Sequence, residues 1–270
     1  MARKSESKSK GRSWVTVLGY SLRVAAAGAV LVGGLYGWNR AEHFIVRDSR
    51  FLLASPDFGL ESPGLELEGV RYASRIEILN VFRQDFGRSV YLLPLAKRRE
   101  QLIQLDWVKD ASVARVWPNR VYVRIHEREP VAYVQYPMDE AARIALIDGD
   151  GVILRQPAQG KFRLPVLMGV RPGETPETRR LKARRLALVM KDIGDVGERV
   201  SEVDVADRSN IRVTAKAENR VVTLLLGDQN FGRRFQTFLD HYPDIQRRLP
   251  GATVLDLRLE DRITAAEQEQ

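Results

Sequence analysis

The residues able to do chemistry in this 270-residue chain are few and scattered. Three histidines (His43, His126, His241) lie far apart, and none forms an H-x-x-x-H pair that would place two imidazoles on one helix face. The chain has no cysteine, which excludes disulfide frameworks, thiolate zinc sites, iron–sulfur clusters and cysteine nucleophiles. No G-x-S-x-G elbow or glycine-rich phosphate loop is present. Asp148-Gly149-Asp150-Gly151 could suggest a calcium loop, but the twelfth position, where an EF-hand needs a bidentate Glu, is Gln159. The Asp/Gly run therefore reads as a turn. No catalytic residue, cofactor or metal is expected, which leaves binding through surface and backbone as the chemistry to look for.

Charge then locates the chain. The formal net charge is +8, yet residues 1–40 hold seven Lys/Arg against the single acid Glu6, so the remaining 230 residues are nearly neutral. That excludes a general nucleic-acid surface and points to membrane orientation. From Val17 to Trp38 the sequence is apolar except for Arg23, with Trp14, Tyr20, Tyr36 and Trp38 toward the two ends. About 20 residues cross a hydrocarbon core of ~30 Å, aromatic side chains favour its interfaces, and an Arg near one end can snorkel to the headgroups. No small-x-small cleavage site follows. The reading is an uncleaved anchor, with residues 1–13 cytoplasmic under the positive-inside rule. Ala25, Ala29, Gly33 and Gly37 fall every fourth residue, a stripe that lets another membrane helix approach closely.

The body reads as α+β. Leu65–Val70 alternates as a strand ending at Gly69. Ser74-Arg-Ile-Glu77 is a capping box; Ile76, Leu79, Phe82 and Phe86 share a helical face, and Gly87 stops the helix. Pro94 opens a second helix to about Leu105, with Lys97, Arg98 and Arg99 outward. Two strands, Trp107–Val116 and Val121–Glu127, meet at Pro118-Asn119. In the second, Val121, Val123 and Ile125 face one way and Tyr122, Arg124 and His126 the other. Further on come a hairpin about Asp148–Gly151, a basic helix from Glu177 to about Ile193 with Leu181, Leu186, Val189, Met190 and Ile193 inward, and strands near 200–205, 211–215 and 221–226.

These motifs carry a resemblance. The strand–helix–helix–strand–strand order behind a single anchor is similar to a POTRA domain. Trp117-Pro118 through Glu127-Arg128-Glu129-Pro130-Val131-Ala132, then Leu164-Pro165-Val-Leu-Met-Gly169, Arg233-Arg-Phe235-Gln-Thr-Phe238, Tyr242-Pro243 and Val254-Leu-Asp256-Leu-Arg258 resemble the cell division protein FtsQ/DivIB family over about residues 1–262. Leu259 departs from an aromatic residue frequent there, and Arg262 from a glycine. The resemblance implies an N-terminal transmembrane helix, a POTRA domain, and a mixed α/β domain built on an antiparallel sheet. The expected boundaries are 1–13 cytoplasmic tail, 14–38 membrane helix, 39–63 tether, 64–131 POTRA, 132–262 second domain and 263–270 polar tail.

By the same resemblance the chain is a non-enzymatic scaffold in the cell inner membrane, single-pass with its C-terminal domains periplasmic. It recruits other divisome proteins at the septum, small single-span ones such as FtsB and FtsL, by β-strand addition. No nucleic acid and no small-molecule substrate is expected. Thr253, Leu255, Leu257 and Leu259 alternate on one face of a final strand, with Glu260–Gln270 behind it reading as polar and strandless. A last strand at a sheet edge offers unpaired backbone groups to another chain. The expected partner-binding residues are accordingly Arg184, Thr253, Leu255, Leu257, Arg258 and Leu259, with Arg184 drawn from the basic run Arg179–Arg185. The alternative is a membrane-anchored cell-envelope hydrolase, which a pocket with convergent His and carboxylate groups would favour.

Overall fold

A computed structural model describes residues 12–56, 62–136, 144–259 and 262–266. The expected cytoplasmic tail lies outside them apart from its last two residues, as does the end of the expected polar tail. Among the described residues there are two sheets. The smaller contains β1 (Leu65–Glu68), β2 (Val108–Val116) and β3 (Arg120–Glu127) in the order β1-β3-β2. With helices α2 (Arg75–Val81) and α3 (Leu95–Ile103) it gives the expected β-α-α-β-β order. The alternation read from β3 holds: Val121, Val123 and Ile125 are buried, while Arg124 and His126 are exposed.

The helical faces differ in detail. Ile76 is 56% exposed and Ile78 is fully buried, because α2 ends at Val81 and its short inner face runs through Ile78 and Leu79. Ser74 Oγ accepts from the Glu77 N–H at 3.3 Å, the hydroxyl half of the capping box, while the Glu77 carboxylate faces Arg155 Nη1 at 3.4 Å. Arg98, expected outward, is buried; its Nη1 donates to Gln101 Oε1 at 2.7 Å while its stem packs inside.

The chain divides into two compact units, one of residues 1–66, 82–96 and 113–123, the other of 67–81, 97–112 and 124–270. The first contains α1 (Arg12–Arg47), which runs on through the first part of the expected tether. Its large apolar side chains are exposed, from Leu18 and Tyr20 to Tyr36 and Trp38. Among the described residues no helix is long and apolar enough to cross a membrane. The charge-free stretch of α1, Val24 to Trp38, spans about 22 Å at 1.5 Å per residue, and Arg23 interrupts what precedes it. The rest of the expected tether is packed where it is described. A 3-10 turn at Ser49–Phe51 is capped by Asp48, and Leu53, fully inside, donates its N–H to Arg88 O and accepts from the Gly87 N–H, both at 2.9 Å. The apolar side chains in this segment give it a reason to fold against its own unit.

The second unit contains a nine-stranded sheet of order β12-β11-β10-β9-β8-β7-β4-β5-β6. Its strands are β4 (Pro130–Gln135), β5 (Ile144–Asp148), β6 (Ile153–Leu154), β7 (Val166–Met168), β8 (Val200–Asp204), β9 (Ile211–Ala217), β10 (Arg220–Gly227), β11 (Val254–Asp256) and β12 (Thr264–Ala265). The sheet is mixed rather than antiparallel: β7 runs parallel to β4 and β8, and β11 runs parallel to β10. Crossover connections impose this, since helices α4 (Pro176–Ile193) and α5 (Phe231–Arg248) each return the chain in the same direction. The Leu164–Gly169 motif forms strand β7, and α4 starts later, at Pro176, behind an N-cap Thr175.

Leu186, Val189 and Ile193 of α4 and Phe235, Phe238 and Tyr242 of α5 bury against the sheet, each worth about 1.5–3 kcal/mol. Leu181, expected inward, is 56% exposed. Ala183 takes the inner position in that turn.

Candidate functional site

The expected site strand is neither last nor at the edge. β11 has the register Thr223↔Val254, Leu224↔Leu255 and Leu225↔Asp256 with β10 on one side. On the other it pairs with β12 through Leu255↔Ala265 and Asp256↔Thr264. The polar tail therefore supplies the edge strand that its composition hid, in two residues too short for any periodic signal. Burial separates the expected contact residues. Leu255 and Leu257 are core, with the Leu257 N–H donating to Leu225 O at 3.1 Å, whereas Thr253, Arg258 and Leu259 are exposed.

The ladder shows which backbone groups β12 leaves outward. Ala266 donates its N–H to Val254 O at 3.0 Å. In an antiparallel pair such residues alternate, so Thr264 and Ala266 turn their backbone polar groups to β11, and Ala265 turns its N–H and C=O away. Both strand residues are exposed.

Beside this edge, α5 and the segment around β12 enclose a groove of about 430 Å³, lined in part by His241, Ile245, Leu257, Leu259 and Ile263. His241 lies within α5 rather than at its end, because the helix continues through Pro243 to Arg248. Asp244, also on the groove, is engaged by Arg247.

Strand direction relates the edge to Arg184. β8 and β10 are both antiparallel to β9, and β10 is parallel to β11, so β8, β10 and β11 end on the same side of the sheet. At that end the Arg258 guanidinium grips Asp256, with Nε 2.9 Å from Oδ1 and Nη2 2.6 Å from Oδ2. Its hydrogen bonds hold the Asp256 carboxyl below the ordinary carboxylate range, and Arg258 is raised in turn, with a smaller Coulombic contribution from Asp207 in the loop after β8. Arg234 of α5 ties the same end together, donating to Leu226 O, Gln229 O and Arg258 O.

The loop after β8 also borders a second groove, about 400 Å³, between Val205–Arg208 and α4. Its wall carries Leu181, Arg184, Arg185 and Leu188, with Arg208 opposite. The two leucines, one heptad apart on α4, are 56% and 64% exposed. Thus Arg184, Arg258 and Leu259 lie at one end of the sheet, while Leu255 and Leu257 serve as its interior. Leu181 and Leu188 were invisible as surface because their spacing fits a core face equally well.

The remaining motifs are structural. Asp148 Oδ1 accepts from the N–H groups of Asp150 and Val152, and its Oδ2 accepts from Arg128 Nη1 at 2.8 Å, which locks the Arg-x-Pro step to the hairpin. Among the described residues no group of three or more His, Asp or Glu side chains could hold a metal ion.

Comparison with known proteins agrees with this architecture. The POTRA domain, FtsQ-type, matches residues 65–128, and Cell division protein FtsQ/DivIB, C-terminal, matches residues 132–258. The chain is similar to Cell division protein FtsQ of Koribacter versatilis, 31% identical over 240 residues covering 87% of this chain and 66% of that protein. It is likewise similar to Cell division protein FtsQ of Novosphingobium aromaticivorans, 30% identical over 223 residues covering 81% of this chain and 65% of that protein. The chain thus spans just under two thirds of the length of these two relatives. With an FtsQ-type POTRA domain followed by the matching C-terminal domain, it belongs to the FtsQ/DivIB family of cell division proteins.

Proposed function

We propose that this chain is a non-enzymatic divisome scaffold that recruits membrane proteins at the septum by adding a partner strand to β12. The observation that carries the reading is the Ala265 edge, whose outward N–H and C=O continue a nine-stranded sheet. Short single-span proteins such as FtsB and FtsL are the partners. The strand would pair along β12, and an adjoining acidic, apolar segment would reach the α4 groove, where Leu181 and Leu188 offer apolar area and Arg184 and Arg208 offer charge. Thr253, Arg258 and Leu259 border the strand, while Leu255 and Leu257 act by holding β11 in place.

In this reading α1 crosses the inner membrane once. Arg23 snorkels to the cytoplasmic headgroups, the basic N-terminus stays inside and both domains are periplasmic. The exposure of its apolar side chains supports this, because a helix bare on all sides needs lipid or protein around it. Around Gly33 and Gly37 a Cβ would meet nothing within 4 Å, so the stripe with Ala25 and Ala29 is open to a second helix.

The hydrolase alternative would need His241 and Asp244 to converge on a substrate. Both line the groove beside β12, but Asp244 is engaged by Arg247 and His241 is exposed, with no hydrogen bond between the two. The test is capture of purified FtsB and FtsL from the same cell by the full-length protein. Ala265→Pro removes the outward donor without touching the β11 ladder and should reduce capture at least tenfold. Leu257→Pro is unsuitable, because that amide bonds to β10. Undiminished capture by Ala265→Pro would refute strand addition at this edge.

A further inference from the structure

We propose that Phe44, Phe51 and Trp117 form a docking surface that seats the first compact unit on the headgroup layer of the membrane from which α1 emerges; this rests on the reading of α1 as a membrane span. Phe44 comes from the last turns of α1 and Phe51 from the 3-10 turn directly after it, while Trp117 is brought from the distant turn between β2 and β3. Phe44 and Phe51 meet edge-on with centroids 5.9 Å apart, and Phe51 and Trp117 do so at 6.0 Å. Phe44 is 50% and Trp117 52% exposed. An edge-on chain of rings with its outer faces bare is an apolar patch looking for a cover.

Charge argues against an anionic polymer as that cover. The Arg50 guanidinium lies 5.2 Å over the Phe44 ring, but Asp48 grips it through both carboxylate oxygens, at 3.0 and 2.9 Å. The cation nearest the rings is therefore already neutralised by its own carboxylate, and the patch itself is apolar. That combination suits the water–lipid boundary, where aromatic residues concentrate.

Continuity with α1 fixes the occupant. Phe44 follows Trp38, the end of the charge-free stretch, by six residues of unbroken helix, about 9 Å along the axis. A headgroup layer is about 5–8 Å thick on each side of the hydrocarbon. A helix leaving the membrane near Trp38 thus carries the Phe44 backbone to the outer edge of that layer, and because helical side chains lean back toward the N-terminus, here toward the lipid, the Phe44 ring reaches the headgroup level.

Absence of native cysteine makes a clean test possible. Full-length protein with Asn119→Cys at the β2–β3 turn, or Ala29→Cys within α1, is spin-labelled in single-copy nanodiscs of pure phosphatidylcholine. Accessibility to oxygen and to a water-soluble nickel chelate is then measured. The inference expects the label at 119 to lose at least threefold of its nickel accessibility relative to the same protein carrying Phe44→Ser, Phe51→Ser and Trp117→Ser, with the label at 29 lipid-immersed in both. A label at 29 in lipid with full nickel accessibility at 119 overturns the docking surface and leaves the span intact. Full nickel accessibility at both positions overturns both.

Discussion

Arg258 folds back onto Asp256, two residues before it at the end of β11, and closes a bidentate ion pair with nitrogen–oxygen distances of 2.9 and 2.6 Å. Asp256 is largely buried and Arg258 about half exposed. The Asp256 carboxyl is held below its ordinary value, chiefly by hydrogen bonds from Arg258. A depressed folded pKa contributes stability above the unfolded value, and that contribution is lost as pH falls through the folded one. Asp256→Asn should therefore lower stability at pH 7 by about 0.5–1 kcal/mol, solvent screening at the Arg258 side keeping it small. The gap between variant and parent should narrow below about pH 4. Urea titrations at pH 7 and pH 3 measure both.

Arg128 and Asp148 are a buried pair, with side chains 15% and 4% exposed. Arg128→Ala leaves the Asp148 carboxylate without its cation, and the expected loss is about 3 kcal/mol. Asp148→Asn keeps an acceptor for the Asp150 and Val152 amides and should cost less. Denaturant midpoints rank the two; the reverse order would contradict the role given to this pair.

Gly151 has φ +80°, and a Cβ there would lie 2.4 Å from Arg180 N and 2.6 Å from Pro176 O. The hairpin thus sits directly on the first turn of α4. Gly151→Ala should cost more than the ~1–3 kcal/mol of left-handed strain alone. Gly149→Ala, with nothing within 4 Å of its Cβ, should stay within about 0.5 kcal/mol of the parent. Thermal unfolding of the two variants checks the contrast.

On α4, stability and binding should separate by face. Leu186→Ala removes a core side chain and should cost about 2–5 kcal/mol. Leu181→Ser and Leu188→Ser act on exposed positions and should change stability by about 0.5 kcal/mol or less, yet weaken partner capture, as should Arg184→Glu. Equilibrium unfolding and capture assays on the same preparations test the division.

Much of this was legible in the sequence, and the exceptions have physical causes. The β3 alternation, the Asp148–Gly151 hairpin and the positions of β8, β9 and β10 follow from period-2 patterning and turn chemistry. The inner faces of α2 and α4 pass beside Ile76 and Leu181 rather than through them, because either of two adjacent registers satisfies a helical period and only packing partners choose between them. Arg98 entered the core because its long stem is apolar. Strand β12 lay outside pattern reading altogether, since two exposed residues carry no periodicity. The strand expected at the sheet edge, β11, therefore lies one strand inside it, and the parallel pairings depend on crossovers rather than local sequence.

Hydrogen exchange across residues 262–266 reads strand addition at Ala265 most directly. Full-length protein is compared with and without saturating FtsB–FtsL. The Ala265 amide, outward and unpaired in the sheet ladder, should slow at least tenfold on binding while Ala266, already bonded to Val254, changes little. Bound partner with unchanged exchange at Ala265 would contradict it.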